Sequence, residues 1–314
     1  MMKAMIPAHL VDKKEERIQG MFAAIAPTYD FLNHLLTGGM DRYWRWQLTR
    51  KVPVKHGGPL LDLCTGTGDV AFAYERATRY KIPIIASDFC VEMLQLAQAK
   101  ARKQEAKAGR QEAKAGKQEA KAGKQEAKAG KQESKAGKQE AKAGKQEAKA
   151  GKQEATDRNE EQGSEATTTS ERPHSMIRFV QADAQELPFA ENTFEVTTIS
   201  FGLRNVTKLE KGIAEMIRVT KPGGQIAILE CSRPRYRLIA AIYFWYFRRL
   251  VPRIGHWFSK SPDNAYTYLP ESVMVFPSGQ ELADRLLAQG LVDVKFFPMT
   301  FGAVTLYVGT KRSS

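Results

Sequence analysis

Short apolar runs alternate with stretches of helical periodicity along most of this chain. Leu60–Cys64 is an apolar run broken only by Asp62, and it predicts a buried strand, with a helix over Val70–Tyr80 behind it. Ile82–Ser87 predicts a second strand, and Val91–Ala101 its helix. Ile177–Gln181 and Phe194–Ser200 predict the third and fourth strands, followed by a helix over Leu209–Val219. Lys221-Pro222-Gly223-Gly224 reads as a turn into a fifth strand, Gln225–Cys231. Ser278–Gln289 reads as a capped helix that stops at Gly290. Leu291–Phe297 and Phe301–Gly309 complete the pattern as a closing antiparallel pair. This alternation predicts an α/β fold with a doubly wound, mostly parallel, seven-stranded sheet and helices on both faces. Ligands of such sheets bind at the carboxyl ends of the strands.

One stretch departs from the pattern. Residues 103–151 are seven copies of Lys-Gln-Glu-Ala-Lys-Ala-Gly with small variations. A period of seven suggests a coiled coil, but the only apolar residue is Ala, so there is no Leu or Ile seam to bury. Each copy also carries a Gly, which costs a helix about 1 kcal/mol, and Lys103 and Lys107 repel at i,i+4. The expectation is a fluctuating, partly helical insertion, disordered through the polar residues up to 175. It divides one domain of ordinary size into two halves, 1–102 and 176–314.

Composition narrows the classes. Hydrophobic residues make up 42%, enough for a core, and the net charge of +13 raises nucleic-acid and membrane readings. Segment 103–175 carries 17 basic and 13 acidic side chains, so the rest of the chain is moderately basic in its own right. No module of interleaved aromatic and basic residues stands out, and no nucleic-acid partner is expected. Cys64, Cys90 and Cys231 have no metal-ligand or redox spacing, and no metal site is expected. Met1 to Arg17 lacks a signal-peptide apolar stretch, and no run reaches the ~18 apolar residues of a membrane span. The expectation is a cytoplasmic protein, peripheral at the inner face of the membrane, of unassigned oligomeric state.

The densest chemistry lies in Asp62-Leu63-Cys64-Thr65-Gly66-Thr67-Gly68-Asp69, a strand running into a glycine turn and a helix. Asp88 follows Gly68 by 20 residues, at the end of the second strand, where it can hold a ribose. The turn therefore reads as an adenosine site, and NAD and S-adenosyl-L-methionine must be weighed. A dinucleotide would place a doubly negative pyrophosphate at this helix N-terminus, between Asp62 and Asp69. S-adenosylmethionine has no phosphate, and its cationic sulfonium and ammonium suit nearby carboxylates, so charge favours it. Asp183-Ala184, after the third strand, could meet the adenine edge.

Further blocks make the sequence recognisable. They are Met21 to Asn33 (MFAAIAPTYDFLN), Trp44-Arg45, Asp183 to Phe189 (DAQELPF), Phe201-Gly202-Leu203-Arg204-Asn205-Val206, and Arg218 to Gly224 (RVTKPGG). With the glycine loop, they resemble the ubiquinone/menaquinone biosynthesis C-methyltransferases, within the Rossmann-like class I methyltransferases. The likeness covers nearly everything except 103–175, and Cys64 stands where the class often has its first Gly. It implies S-adenosylmethionine-dependent methylation of a ring carbon of a polyprenylated quinol, demethylmenaquinol or the benzoquinol precursor of ubiquinone. It implies cofactor contacts at Thr67, Asp88, Asp183, Ala184 and Ser200, beside Gly66, Gly68 and Asp62 of the turn. On the substrate side, Arg204, Asn205 and Tyr29 are the catalytic candidates. Arg204 stays protonated, so it would stabilise a quinolate or order a water that accepts the proton; the alternative is a salt bridge bracing its loop. Amine methyltransferases often carry Asp/Asn-Pro-Pro-Tyr after the fourth strand, where this chain has Ser200-Phe201-Gly202-Leu203.

Leu238–Phe247 is a ten-residue apolar run between Arg235, Arg237 and Arg248, Arg249. It is too short to span a bilayer. It reads either as a lid over a prenyl tail with arginines at lipid headgroups, or as a buried core or oligomer helix. Competing functions are a methyltransferase for another lipid or phenol, a nucleotide-binding oxidoreductase, and a silent scaffold displaying the repeat.

Overall fold

Side chains from alternate residues feed two cores, one on each face of a seven-stranded sheet, in a computed structural model that describes residues 14–147, 175–251, 253 and 265–313. The chain divides into two units: residues up to Arg102 together with Pro173 onward, and Lys103–Arg172. The first unit holds the sheet. Its strands are β1 (Leu60–Leu63), β2 (Ile84–Asp88), β3 (Ile177–Gln181), β4 (Phe194–Ser200), β5 (Thr220–Cys231), β6 (Leu291–Met299) and β7 (Val304–Lys311), in the spatial order β3-β2-β1-β4-β5-β7-β6. β1 to β5 pair in parallel, and β7 lies antiparallel to both β5 and β6. The strand order reverses between β1 and β4, which opens a crevice at their carboxyl ends.

Period-two alternation explains the double core. Leu61, Leu63, Ile226 and Ile228 point into one cluster, while Leu60, Ala227 and Leu229 point into the other. Helices α4 (Asp69–Ala77) and α6 (Leu209–Val219) cover the sheet, α6 burying Ile213, Met216 and Val219 on one stripe. At the N-terminal side come α1 (Glu15–Ile25), α2 (Tyr29–Leu36) and α3 (Met40–Lys51); α3 packs on α4, where the buried Tyr74 hydroxyl donates to the Val52 carbonyl at 3.0 Å. Helices α7 (Arg237–Trp245), α8 (Ala265–Val275) and α9 (Gln280–Ala288) follow β5.

Four local expectations are revised. The Lys221–Gly224 turn lies inside β5, where the pairing with β4 slips between Phe194 and Val196; Gly224 is needed because a Cβ there would sit 2.7 Å from the Glu195 carbonyl. Ser278 does not cap α9: the helix starts after Gly279, at φ +64°, whose N–H donates to the Tyr307 hydroxyl at 2.6 Å. The last strand begins at Val304, after a tight turn with Phe301 at φ +56°. Helix α7 buries none of its residues, so the core-helix reading of that run does not hold.

The repeat differs most. Helix α5 runs unbroken from Val91 to Glu147, where a partly helical segment was expected. Ala, Lys, Gln and Glu are all strong helix formers, and six of them offset one Gly per copy. The second unit begins at Lys103 within this helix. The remainder of the insertion, 148–174, lies outside the described residues.

Candidate functional site

A cavity of about 300 Å³ opens at the carboxyl ends of β1, β4 and β5. The glycine turn forms one wall. Cys64 (φ +49°), Gly66 (φ +56°) and Gly68 (φ +84°) all take left-handed backbone, which brings the chain round tightly and starts α4 at Gly68. Asp88 braces this turn: one oxygen accepts from the Gly66 N–H at 2.8 Å and the other from the Cys90 N–H at 2.9 Å. Burial pushes the Asp88 carboxyl up, against these backbone bonds.

Asp62 lies beneath the turn, 1% exposed, and accepts from the Thr65 hydroxyl at 2.6 Å and the Thr198 hydroxyl at 2.8 Å. Burial outweighs these bonds and raises its pKa to about 7. Asp69 is paired with Arg45 at 3.3 Å and with Lys100 at 2.7 Å. Lys100 also pairs with Asp30 at 2.7 Å, and Thr67 donates to Asp30 at 2.5 Å. The turn is therefore not the pair of free negative charges that the sequence suggested, and repulsion of pyrophosphate there loses most of its force.

The opposite wall carries the Arg204 loop. Arg204 Nη1 lies 3.1 Å from Glu230 Oε2, and both residues are buried. The Arg204 backbone N–H donates to the same carboxylate at 3.1 Å, and its guanidinium also donates to the Phe201 carbonyl. Burial alone would lower the guanidinium pKa, but Glu230 together with Cys231, Tyr29 and Tyr268 more than offsets it, so Arg204 stays cationic. The salt bridge and the cavity-facing role thus coexist, since Arg204 also lines the cavity. Tyr29 stands across from it with its phenol held neutral by burial, although the Arg204 charge acts against that shift. Asn205 lies behind the wall, its Nδ2 3.5 Å from the Phe201 carbonyl and its Oδ1 buried with no hydrogen-bond partner among the described residues.

Aromatic groups close the remaining sides. Trp44 donates to the Thr300 hydroxyl at 2.8 Å and packs on Phe201 with ring centroids 5.8 Å apart. Tyr243 and Tyr246 come from α7 and the π-helical turn that follows it, and Tyr246 donates to the Leu36 carbonyl at 2.6 Å. Cys64 and Cys231 also face the cavity, and burial keeps both thiols protonated, Cys231 at about 12.

Of the residues singled out from sequence, Tyr29, Asp62, Gly66, Thr67, Ser200 and Arg204 line one cavity. Gly68, Asp88, Asp183, Ala184 and Asn205 stand outside its wall. Asp183 accepts from the Gln185 backbone N–H at 2.9 Å, and Ala184 is buried in a core cluster. Glu230, Lys100 and Asp30 were missed as site residues, whereas Tyr243 and Tyr246 lie in the apolar run that the sequence offered as a lid. Glu230 alone had a signal, as a lone acid in the apolar run Ile226–Cys231. The Ser200 hydroxyl is buried on the wall with no hydrogen-bond partner among the described residues. Together with Gly66, Thr67 and the Asp62 carboxyl on the same wall, it fits a ligand that carries hydroxyl and ammonium groups. Among the described residues, no group of three or more His, Cys, Asp or Glu is placed to hold a metal ion.

The profile of the ubiE/COQ5 methyltransferase family matches residues 10–128 and 134–311. The chain is 33% identical to the ubiquinone/menaquinone biosynthesis C-methyltransferase UbiE of Geobacter sp. (strain M21), over 96% of this chain and 100% of that one. It is also 33% identical to the demethylmenaquinone methyltransferase of Deinococcus radiodurans, over 95% and 94%. Among solved structures, the methyltransferase bound to the Haloferax volcanii Trm112 activator superposes with a TM-score of 0.50 at 16% identity, covering 93% of this chain and 97% of that one. Phosphoethanolamine N-methyltransferase 2 of Haemonchus contortus, solved with S-adenosylhomocysteine, also gives 0.50, at 12% identity over 90% and 57%. At these identities the structural likeness carries the fold alone.

Proposed function

The chain belongs to the ubiE/COQ5 methyltransferase family, and from that premise we infer an S-adenosylmethionine-dependent C-methyltransferase of quinone biosynthesis. The acceptor we assign is a polyprenylated quinol, demethylmenaquinol first, in line with the name of the Deinococcus relative. The benzoquinol precursor of ubiquinone is the second reading, favoured by the dual name of the Geobacter relative. The observation that carries the assignment is a cation, Arg204, pinned by Glu230 on the wall of a cavity shared with the glycine turn and with Tyr29.

S-adenosylmethionine supplies the methyl group as an electrophile. Gly66, Thr67, Ser200 and Asp62 are proposed to hold the cofactor in the cavity, with Gly68 fixing the turn. Asp88 takes the ribose side, and Asp183-Ala184 the adenine edge, from the same end of the sheet. Arg204 stabilises the phenolate that forms when the quinol hydroxyl gives its proton to water. That charge would make the neighbouring ring carbon nucleophilic toward the methyl group that S-adenosylmethionine would supply, and the ring proton would pass to water as aromaticity returns. Tyr29 and Asn205 orient the ring and its oxygen. Trp44, Phe201, Tyr243 and Tyr246 shield the reacting atoms from water.

The prenyl tail leaves past α7. Leu238, Ile242 and Trp245 lie at i, i+4 and i+7 on its outer face, 74%, 60% and 61% exposed, while Tyr243 reaches the cavity. This outer face is proposed to contact the bilayer that holds the substrate. No described helix is long and apolar enough to cross a membrane. Transfer of labelled methyl to demethylated naphthoquinol and benzoquinol acceptors tests the assignment, with the naphthoquinol as the expected better substrate. Transfer to neither quinol overturns it.

A further inference from the structure

The repeat arranges its charges by face. At 100° per residue, Lys103, Lys107, Arg110, Lys114, Lys117, Lys121 and Lys124 fall within an arc of about 100° on α5. All seven side chains are exposed. Glu105 projects on the opposite side, two positions from Lys103 and from Lys107, where side chains on a helix do not meet. The bases of the repeat are therefore not neutralised by its acids. A repeat of seven returns each position to nearly the same side, with a drift of about 20° per copy, so the base-rich face holds together over the first copies and winds slowly round the helix beyond them. The glycines do not serve packing, because a Cβ at Gly109, Gly116 or Gly123 would meet nothing within 4 Å.

We propose that this lysine face of α5 is an electrostatic docking surface for an anionic lipid bilayer. Charge complementarity selects an anionic partner, and shape selects a flat one. From Lys103 to Glu147 the helix is unbroken over about 66 Å, whereas the major groove of a duplex turns away within ~34 Å. A flat surface can meet the basic face from Lys103 to Lys124 while the acids of those copies stay in water. The choice of lipid also rests on the polyprenyl quinol reading, since such a substrate resides in a bilayer. Each lysine close to an anionic surface strengthens binding about five-fold, so a row of them gives salt-sensitive attachment without any apolar insertion.

The test uses the full chain and vesicles of phosphatidylcholine alone or mixed in equal parts with phosphatidylglycerol. Flotation is expected to be much stronger with the mixed vesicles, and that difference should vanish at ~1 M salt, where charges are screened beyond about 3 Å. Replacing the seven bases with Gln should weaken vesicle binding about ten-fold or more, whereas replacing the six lysines with Arg should preserve it. Both variants should retain transfer to a short-tailed, water-soluble quinol, so failure of docking is distinguishable from failure of the quinol assignment. Equal binding to neutral vesicles, unchanged binding of the Gln variant, or tighter binding to duplex DNA at the same salt would overturn the proposal.

Discussion

Cys64 and Gly202 meet so closely beneath the cavity that a Cβ on residue 202 would overlap the Cβ of Cys64 and lie 2.8 Å from its sulfur. Cys64 holds a left-handed φ of +49° in the position where related glycine loops often have Gly. The Phe201-Gly202 pair is thus matched to Cys64 across the β1–β4 crevice. Gly202→Ala should destabilise the fold by ~1–3 kcal/mol through overpacking. Adding Cys64→Gly should recover most of that loss, since it removes the obstructing side chain. Urea midpoints of the two single variants and the double variant check this, and a double variant no better than Gly202→Ala would contradict it.

The Arg204–Glu230 pair predicts an asymmetric outcome. Glu230→Gln leaves a buried guanidinium short of its counter-charge, so stability should fall by ~3 kcal/mol or more. Arg204→Ala also loses stability, but its signature is functional. Methyl transfer should drop by at least ~10²-fold while S-adenosylmethionine binding, measured by calorimetry, stays largely intact. Near-normal turnover would remove Arg204 from the catalytic step.

Asp62 predicts a pH dependence with a definite sign. Its carboxyl holds a proton up to about pH 7 in the fold, against 3.8 in its unperturbed state. Between those values the folded protein binds more protons than the unfolded chain, so stability falls as pH rises through that window and levels off above it. Asp62→Asn should flatten this slope. A cation bound beside Asp62 favours its charged form, so S-adenosylmethionine affinity should rise with pH through about 7 in the parent and not in Asp62→Asn. Parallel pH series of denaturation and calorimetry would expose the opposite trend.

Helix α5 predicts stabilisation where most substitutions do harm. Gly109→Ala, Gly116→Ala and Gly123→Ala meet no neighbour, and each should stabilise the local helix by about 1 kcal/mol. Amide hydrogen exchange across these copies should slow about five-fold per substitution; unchanged exchange would show that the segment is not opening as a helix.

The strands and most helices were legible because they depend on local periodicity. Ile177–Gln181, Phe194–Ser200 and Leu209–Val219 appear with the bounds their patterns predict. The glycine turn was legible too, since Gly66 and Gly68 supply backbone that other residues resist. Helix α5 was misjudged because the expected cost of one Gly per copy was set against no gain, although the other six residues of each copy favour helix. Charge at the site was illegible for a different reason. Arg204 meets Glu230 across 26 positions, and Lys100 meets Asp30 and Asp69 across 70 and 31. No local pattern encodes such distances. The sequence by itself determined the parallel sheet, the glycine turn at its crevice and the family-specific Phe201–Val206 block. Only the tertiary structure decided which acids at the turn are paired, that burial holds Asp62 near neutrality, and that Arg204 keeps its charge on the cavity wall. Those properties follow from through-space separation and exclusion of water, which exist only once the chain has folded.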